Sequence, residues 1–218
     1  MSHRPFKQRI YYQFARVGSA LASDKRLELL DLLAQGPRNV EALAAEADMS
    51  VANASQHLQI LRHTRLVEAE REGTKINYRL ANDGVLRLWL ELRSVAESQL
   101  AEVKQIVDEF SVNGGSERAL PRDELERMTG EGEVFLIDVR PKLEYENGHI
   151  PDAVSVPILE LVSRLEELPR DRRIIAYCRG TYCLFADEAV AILRQHGFDA
   201  YRLDGGWPEW KADGRPPS

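Results

Sequence analysis

Apolar residues in the first half of the chain repeat at helical spacing. Steps of three and four residues separate the apolar positions that predict a first helix, namely Phe6, Ile10, Phe14 and Val17. Ser23 and Asp24 form a candidate N-terminal cap for a second, leucine-rich helix, which Gly36 and Pro37 would end.

Two further helices and a hairpin are predicted next. A short helix over 40–47 is separated by a tight turn from a longer helix over 51–64, for which Ser50 is a plausible cap. Short strands over 67–70 and 75–80 then flank a glycine-bearing turn. Two helices, a turn and a hairpin in this order predict a winged helix-turn-helix domain.

Residues 85–110 are predicted to form one long helix. Its apolar stripe keeps three- and four-residue steps through Trp89, Leu92, Ala96, Leu100, Val103, Val107 and Phe110. This stripe is too long for a monomer surface, so we expect it to pair with the first helix across a two-fold axis in a homodimer. The glycine- and serine-bearing segment 111–116 is typical of a flexible linker. We therefore predict domains over 1–112 and 117–218.

Strands and helices alternate in the second half. The predicted order is a short helix around Leu125, a strand over 134–139, an extended segment over 150–156, a helix over 159–168, a strand over 174–177, a helix over 182–196 and a strand near 201–203. Such alternation predicts a mainly parallel sheet between helices. The expected fold is therefore a mainly-α winged helix-turn-helix domain followed by an α/β domain.

Composition restricts the possible class of protein. The chain has 218 residues, of which 44% are hydrophobic and two are cysteines. It contains no stretch of about 20 apolar residues and no secretory segment at its start, so we expect a cytoplasmic protein without membrane association. Two cysteines provide no disulfide framework, which also suits a reducing compartment.

The net charge of −6 is unevenly distributed. Residues 1–112 hold 15 basic and 15 acidic side chains, whereas residues 113–218 hold 14 basic and 20 acidic ones. The acidic half should not contact DNA, but a neutral half can bind DNA if its charges segregate onto one face.

The helix over 51–64 is the candidate recognition helix. Its N-terminal polar residues would enter the major groove and contact base edges, and the candidates are Ser50, Asn53, Ser55, Gln56 and Gln59. In the wing, Arg71, Thr74 and Lys75 would contact the backbone or the minor groove. For any single residue, the alternative is that its polar side chain only solvates an exposed helix.

Cys178 ends a predicted strand and opens a glycine-bearing loop that leads into a helix. Backbone N–H groups and the helix dipole should point at its sulfur, and Arg179 and Arg140 add positive charge. We therefore expect the pKa of this thiol to lie below the ordinary value of ~8.5. The same amides would stabilise a persulfide or a thiosulfate-like anion.

Residues 20–80 resemble the ArsR family of bacterial dimeric repressors. The resemblance rests on the segments Leu21-Ala22-Ser23-Asp24-Lys25-Arg26-Leu27, Ser50-Val51-Ala52-Asn53-Ala54-Ser55-Gln56-His57-Leu58 and Arg71-Glu72-Gly73. It implies operator DNA as a partner and a ligand that releases the repressor. The cysteine pair of arsenic sensors is missing from 40–47, and the histidines of zinc sensors are missing from 85–110. We therefore expect neither metal nor cofactor and a signal that enters through the other half.

Residues 117–218 resemble the rhodanese domain. The matching segments are Leu136-Ile137-Asp138-Val139-Arg140, residues 144–153, the Cys178 loop and Leu203-Asp204-Gly205-Gly206-Trp207. The resemblance implies that Cys178 takes sulfane sulfur from a donor, holds it as a persulfide and passes it to an acceptor thiol. Further implied roles are an anion contact for Arg179, loop amides from Gly180, Thr181, Tyr182 and Cys183, and support of the pocket by Asp138 and Arg140.

Two departures from the rhodanese pattern affect the expected chemistry. The loop glycine is third and not fourth, with Thr181 fourth, and the loop closes on Cys183. Phosphatase and arsenate-reductase relatives need an arginine where this chain has Leu184, so we expect neither activity. Cys183 is either a small residue packed at a helix start or a resolving thiol that attacks an oxidised Cys178.

Three functions are compatible with this sequence. The leading hypothesis is a dimeric transcriptional repressor that senses reactive sulfur species through persulfidation of Cys178. The second is a sulfurtransferase enzyme, in which the winged helix serves dimerisation or localisation. The third is a sensor of general thiol oxidation, in which peroxide forms a bridge between the two cysteines.

Overall fold

In the computed structural model, the chain divides into two compact units, Met1–Glu91 and Leu92–Ser218. The structure describes residues 3–73, 75–110, 119–130 and 132–215. The predicted linker over 111–116 lies outside these residues. The domain limits 1–112 and 117–218 therefore stay a prediction.

The first unit contains the helices and the hairpin that the apolar pattern predicts. Its elements are α1 (Arg4–Leu21), α2 (Asp24–Ala34), β1 (Arg38–Asn39), α3 (Val40–Glu46), α4 (Val51–His63), β2 (Val67–Glu72), β3 (Lys75–Leu80) and the first turns of α5 (Asp83–Gln99). The three strands form an antiparallel sheet in the order β1-β3-β2, in which Val67 pairs with Leu80. The predicted winged helix-turn-helix is confirmed, and β1 adds a short strand that the sequence did not reveal.

Side-chain caps define the starts of α3 and α4. Asn39 Oδ1 accepts a hydrogen bond from the N–H of Ala42 at 2.8 Å, and Ser50 Oγ accepts one from the N–H of Asn53 at 3.2 Å. Each bond satisfies a backbone donor that has no partner within its helix. Leucines of α2, α3 and α4 share one buried core, which includes Leu29, Leu30, Leu33, Leu43, Leu58 and Leu61. The two helices are therefore held at both their caps and their inner faces.

The second unit is built on a five-stranded sheet. Its elements after α5 are α6 (Ala101–Phe110), β4 (Ala119–Leu120), α7 (Arg122–Gly130), β5 (Val134–Asp138), α8 (Lys142–Glu146), β6 (Val154–Ser155), a 3₁₀ helix (Leu161–Glu167), β7 (Arg173–Cys178), α9 (Phe185–Gln195), β8 (Ala200–Gly206) and α10 (Trp207–Ala212). All paired strands are parallel, in the order β4-β8-β7-β5-β6. The predicted parallel sheet is confirmed.

Helices cover both faces of this sheet, as buried parallel strands require. In β7, Ile174, Ala176 and Cys178 belong to one core with α9, whereas Ile175 and Tyr177 belong to another with α7 and α10. Successive side chains of a strand point to opposite faces. The alternation therefore places Cys178 on the α9 side at the carboxyl end of a central strand.

Several predicted element boundaries were wrong. The single helix over 85–110 is two helices, because α5 ends at Gln99 and α6 begins at Ala101. The helix predicted over 182–196 begins at Phe185, since the N–H of Cys183 donates to the carbonyl oxygen of Gly180 at 3.2 Å in a turn. The segment 159–168 contains a 3₁₀ helix, and only Val154–Ser155 of 150–156 is a strand.

Trp89 of the predicted dimer stripe donates through Nε1 to Asp31 Oδ1 of α2 at 3.0 Å. The pairing of this stripe across a two-fold axis stays a prediction. Among the residues that the structure describes, no helix combines the length and the apolar character needed to cross a membrane.

Candidate functional site

Cys178 is the last residue of β7 and is 2% exposed. Its thiol donates to the carbonyl oxygen of Cys183 at 3.1 Å, and the two thiols interact strongly enough to shift each other's pKa. Cys183 is half-buried at the other end of the loop, just before α9. Both are free cysteines. The loop therefore holds two thiols in contact, one buried and one partly accessible.

Ionisation of the two thiols differs from the sequence-based expectation. Burial raises the pKa of Cys178, and the hydrogen bond to Cys183 and the charge of Cys183 raise it further. Backbone hydrogen bonds from Gly180 and Ala186 oppose this rise but do not overcome it. The predicted low pKa of Cys178 is therefore wrong, because the strand end is buried in the core and not open to water.

Cys183 carries the lowered pKa instead. The hydrogen bond from Cys178 lowers the pKa of Cys183 to about 7, against the effect of its own burial. Backbone hydrogen bonds from Arg179 and Phe185, and the charge of Arg179, act in the same direction. The loop thus raises the pKa of one thiol, Cys178, and lowers the pKa of the other, Cys183.

Arg179 is turned toward α8. Its Nε lies 2.9 and 3.1 Å from the two carboxylate oxygens of Glu144, and its Nη2 contacts Oε1. The Glu144 side chain is 1% exposed, so this pair ties the loop to a buried carboxylate. An incoming anion would compete with Glu144 for the guanidinium. The predicted contact between Arg179 and a substrate anion stays a prediction.

Asp138 and Arg140 form a fully buried ion pair at the end of β5. Arg140 Nε lies 3.0 Å from each Asp138 oxygen, Arg140 Nη2 lies 2.6 Å from Oδ2, and both side chains are 0% exposed. Arg140 Nη2 also donates to the carbonyl oxygen of Gly148 at 2.8 Å. This geometry ties the end of β5 to the segment that follows α8 and is compatible with the supporting role expected for the pair.

Glycines allow the backbone to pass close to Cys178. Gly206 pairs with Cys178 across β7 and β8, and a Cβ on Gly206 would lie 2.2 Å from the Cys178 oxygen and 2.6 Å from the Gly180 nitrogen. Gly180 has a φ of +142°, which an L side chain rarely adopts. Thr181 is half-buried and Tyr182 is exposed in the same loop.

Sequence reasoning did not identify two carboxylates at this site. Glu144 holds Arg179, and Glu209 accepts the N–H of Gly206 at 2.8 Å through Oε2. Glu209 is 8% exposed, and its Oε1 lies 3.0 Å from the position of a Cβ on Gly180. The available signal was local, since Glu209 is the third residue after Gly206, the spacing of a capping box.

The candidate DNA-binding residues lie on α4 and the wing. Asn53 and Gln56 are exposed, Ser55 and Gln59 are half-buried, and the Ser50 side chain caps the helix. Ala54, Leu58 and Leu61 point into the core, so the polar residues occupy the opposite side. In the wing, Arg71 is exposed and its Nε donates to the carbonyl oxygen of Gly73 at 3.1 Å. Thr74 and the Lys75 side chain lie outside the described residues.

We expect no metal site in this chain. Within the segments that the structure describes, no group of three or more His, Cys, Asp and Glu residues is arranged to hold a metal ion.

Two family models match separate parts of this chain. Residues 23–69 match the bacterial regulatory protein, arsR family, and residues 121–213 match the rhodanese-like domain. A sulfurtransferase of Allochromatium vinosum is 34% identical over 92 residues, which cover 42% of this chain and 84% of that protein.

Two mycobacterial proteins are similar to this chain. A solution structure of a homodimeric winged helix-turn-helix DNA-binding domain from Mycobacterium bovis is 48% identical, covers 46% of this chain and 91% of that one, and has a TM-score of 0.43. HTH-type transcriptional regulator Rv0324 of Mycobacterium tuberculosis is 50% identical over 204 residues, covering 94% of this chain and 89% of that protein. This chain therefore belongs to the ArsR family of HTH-type transcriptional regulators, as a member that carries a rhodanese-like domain.

Proposed function

We propose that this regulator is a homodimeric repressor whose affinity for operator DNA changes when sulfane sulfur loads the Cys178 loop. One observation carries the proposal: both cysteines of the chain lie in this loop, where the Cys178 thiol donates to the Cys183 carbonyl oxygen, on the same chain as an arsR-type DNA-binding domain. Operator binding would take place in the cytoplasm, where bacterial DNA is found.

The thiol pair supports a defined transfer step. The Cys183 thiolate takes the proton of Cys178 while the Cys178 sulfur attacks one sulfur of hydrogen disulfide, HSSH. The sulfur–sulfur bond of the donor breaks, HS⁻ leaves, and Cys178 becomes a persulfide while Cys183 becomes a neutral thiol. Cys178 sulfur is oxidised and the donor is reduced, so no further oxidant is needed.

A second step would close the loop. After Cys183 loses its proton to water, its thiolate attacks the inner sulfur of the Cys178 persulfide and expels HS⁻, leaving a disulfide between the two residues. The backbone hydrogen bonds around each sulfur would have to rearrange, because the Cys178 thiol now bonds the Cys183 carbonyl. The loop would then have two states, reduced on the one hand and persulfide or disulfide on the other, and their conformations would differ.

Dimerisation is supported by exposed aromatic side chains on α1. Phe6, Tyr11, Tyr12 and Phe14 are each between 64 and 68% exposed, and Leu92 and Val95 of α5 are also exposed. Large apolar side chains left exposed in this number are typical of association surfaces. A two-fold dimer would present two copies of α4 to a palindromic operator.

The proposal is tested with the full-length protein and a DNA duplex selected by that protein from a random pool. Operator affinity is measured for wild type, Cys178→Ser and Cys183→Ser, with and without inorganic polysulfide. We expect a change of about 5- to 150-fold in wild type and none in Cys178→Ser. An identical response of wild type and Cys178→Ser would refute the sensing role.

Intact mass distinguishes the sulfur sensor from a general oxidant sensor. A sulfur sensor gains one sulfur atom or loses two hydrogens after polysulfide, and its DNA affinity changes with that product. A peroxide sensor changes affinity through an added oxygen or a bridge, while polysulfide leaves its affinity unaltered.

A sulfurtransferase is the second candidate, favoured by the likeness to the A. vinosum sulfurtransferase. Steady turnover of thiosulfate and cyanide by wild type, absent in Cys178→Ser, together with DNA affinity indifferent to sulfur loading, would select this function.

A further inference from the structure

Two side chains of α5, one helical turn apart, contact the Cys178 loop within the second unit. Arg93 forms an ion pair with Glu209, and its guanidinium carbon lies 5.5 Å from the centre of the Tyr182 ring. Glu97 Oε1 accepts a hydrogen bond from the Tyr182 hydroxyl at 2.6 Å and lies 3.4 Å from Arg93 Nε. The last turns of α5 therefore form part of the wall around the loop.

Glu209 connects Arg93 to the start of the loop. One carboxylate oxygen pairs with Arg93, and the other accepts the N–H of Gly206, the residue packed against the Cys178 carbonyl. The side chains of Arg93 and Glu209 are 11 and 10% exposed, so the ion pair is largely removed from water. Removing one partner of such a pair leaves the other charge buried and unpaired, which is strongly unfavourable. The attachment therefore depends on both Arg93 and Glu209.

Tyr182 provides a second attachment between the two cysteines. Burial and the hydrogen bond to Glu97 raise the pKa of Tyr182, so its hydroxyl stays protonated and keeps donating at neutral pH. The loop is thus held at Gly206 opposite Cys178, and again one residue before Cys183. A bridge or an added sulfur between these points would strain at least one of the two attachments.

We propose that Arg93 and Glu97 are positioning residues for the Cys178 loop and that α5 carries the sulfur state of this loop to the DNA-binding unit. The proposal rests on the sensing function given above and names its route. Residues 92–99 lie outside both segments that match family models, 23–69 and 121–213.

The first turns of α5 are anchored in the other unit. Val85 belongs to the core of the first unit, and Trp89, one turn before Arg93, donates to Asp31 of α2. Within that unit α2 packs against the recognition helix α4. A shift of α5 at Arg93 would therefore pass along the helix to Trp89 and reach α2 through the hydrogen bond to Asp31. It would then reach α4 through the packing of α2 on α4.

Three variants of the full-length protein test the proposal. Arg93→Gln removes the charge that holds Glu209, and Tyr182→Phe removes only the hydroxyl that bonds Glu97 while keeping the ring. Arg87→Gln is the matched control, because Arg87 is an exposed arginine of the same helix. If Arg93→Gln alone is poorly folded, Arg93→Gln with Glu209→Gln removes both charges together.

Two readouts separate positioning from transmission. The first is the rate of thiol alkylation by iodoacetamide as a function of pH, which needs no DNA. If the loop loosens, the backbone hydrogen bonds to Cys183 weaken, and a rise of its pKa by one unit from about 7 lowers the thiolate fraction at pH 7 about fivefold. The second is the ratio of operator affinities with and without polysulfide, taken on protein whose sulfur uptake is verified by mass.

We expect Arg93→Gln and Tyr182→Phe to shift the alkylation profile and to bring the affinity ratio to within about twofold of one, while Arg87→Gln behaves as wild type. A wild-type profile in both variants would overturn the positioning role. A shifted profile with a wild-type affinity ratio would overturn transmission through α5. An affinity ratio of one in wild type itself would refute the sensing function and transmission together, and the alkylation profile would still decide the positioning role.

Discussion

The thiol of Cys178 donates to the carbonyl oxygen of Cys183 across 3.1 Å, and the two thiols shift each other's pKa in opposite directions. The pair therefore shares one ionisation, in which the buried thiol keeps its proton and the half-buried thiol loses it near neutral pH. This arrangement separates the charged sulfur from the sulfur at the strand end. In the proposed transfer step, Cys178 would carry the sulfur and the Cys183 thiolate would be its base.

Alkylation of the wild-type loop should rise with pH through about 7 and level off above it, because the pKa of Cys183 is lowered to about 7. Each unit below this midpoint lowers the thiolate fraction up to tenfold. Mass mapping after brief iodoacetamide treatment at several pH values measures the effect, and Cys183 should be modified first.

Single-cysteine variants provide the control for this midpoint. Cys178→Ala removes the main interaction that lowers the pKa of Cys183, so the midpoint moves up. Cys183→Ser leaves Cys178 buried, so that thiol reacts slowly at pH 7. A midpoint near 7 that persists in Cys183→Ser would contradict the assignment of the charge to Cys183.

Glu144→Gln should lower the free energy of unfolding by about 1–3 kcal/mol, because it weakens a buried, charge-assisted contact with Arg179. Urea unfolding measures the change. Glu146→Gln on the same helix is the control, since Glu146 is exposed and lies 3.9 Å from Lys142. The control should cost less than about 1 kcal/mol, and equal costs for both variants would argue against the Arg179 contact.

Gly206→Ala should destabilise the protein by about 1–3 kcal/mol and displace the Cys178 loop. The added methyl would lie 2.2 Å from the Cys178 oxygen, which is far inside van der Waals contact. Thermal unfolding and the alkylation profile report the two effects. At Gly130 of α7 a Cβ has nothing within 4 Å, so Gly130→Ala should leave both unchanged. If Gly206→Ala changes neither thermal unfolding nor the alkylation profile, β7 and β8 move apart more easily than the structure indicates.

Gln56→Ala and Asn53→Ala should weaken specific operator binding by about 1–3 kcal/mol each if their amides contact base edges. Both side chains are exposed on α4, opposite its buried leucines. Competition between the selected duplex and a scrambled duplex measures the loss of specificity. Gln105→Ala, at an exposed position of α6, is the control. Equal loss on both duplexes would indicate backbone contacts or solvation in place of base recognition.

The local parts of this architecture could be predicted because their causes are local. Helical periodicity identified α2, α3 and α4, and the predicted strand over 75–80 coincides with β3. The apolar run before the loop predicted that Cys178 ends a strand, and Cys178 is the last residue of β7. The break between α5 and α6 was missed, because the apolar stripe continues across Leu100 without a change in period.

By itself the sequence determined the two-domain architecture, helix α4 and the position of the two cysteines in one loop, since each follows from residue spacing along the chain. Tertiary structure alone decided which thiol is charged and which distant residues surround it. Burial at the strand end raised the pKa of Cys178, and folding brought Glu144 to Arg179 and Glu209 to Arg93. Desolvation and contacts between residues 35 to 116 positions apart depend on how the chain folds, and no local pattern encodes them.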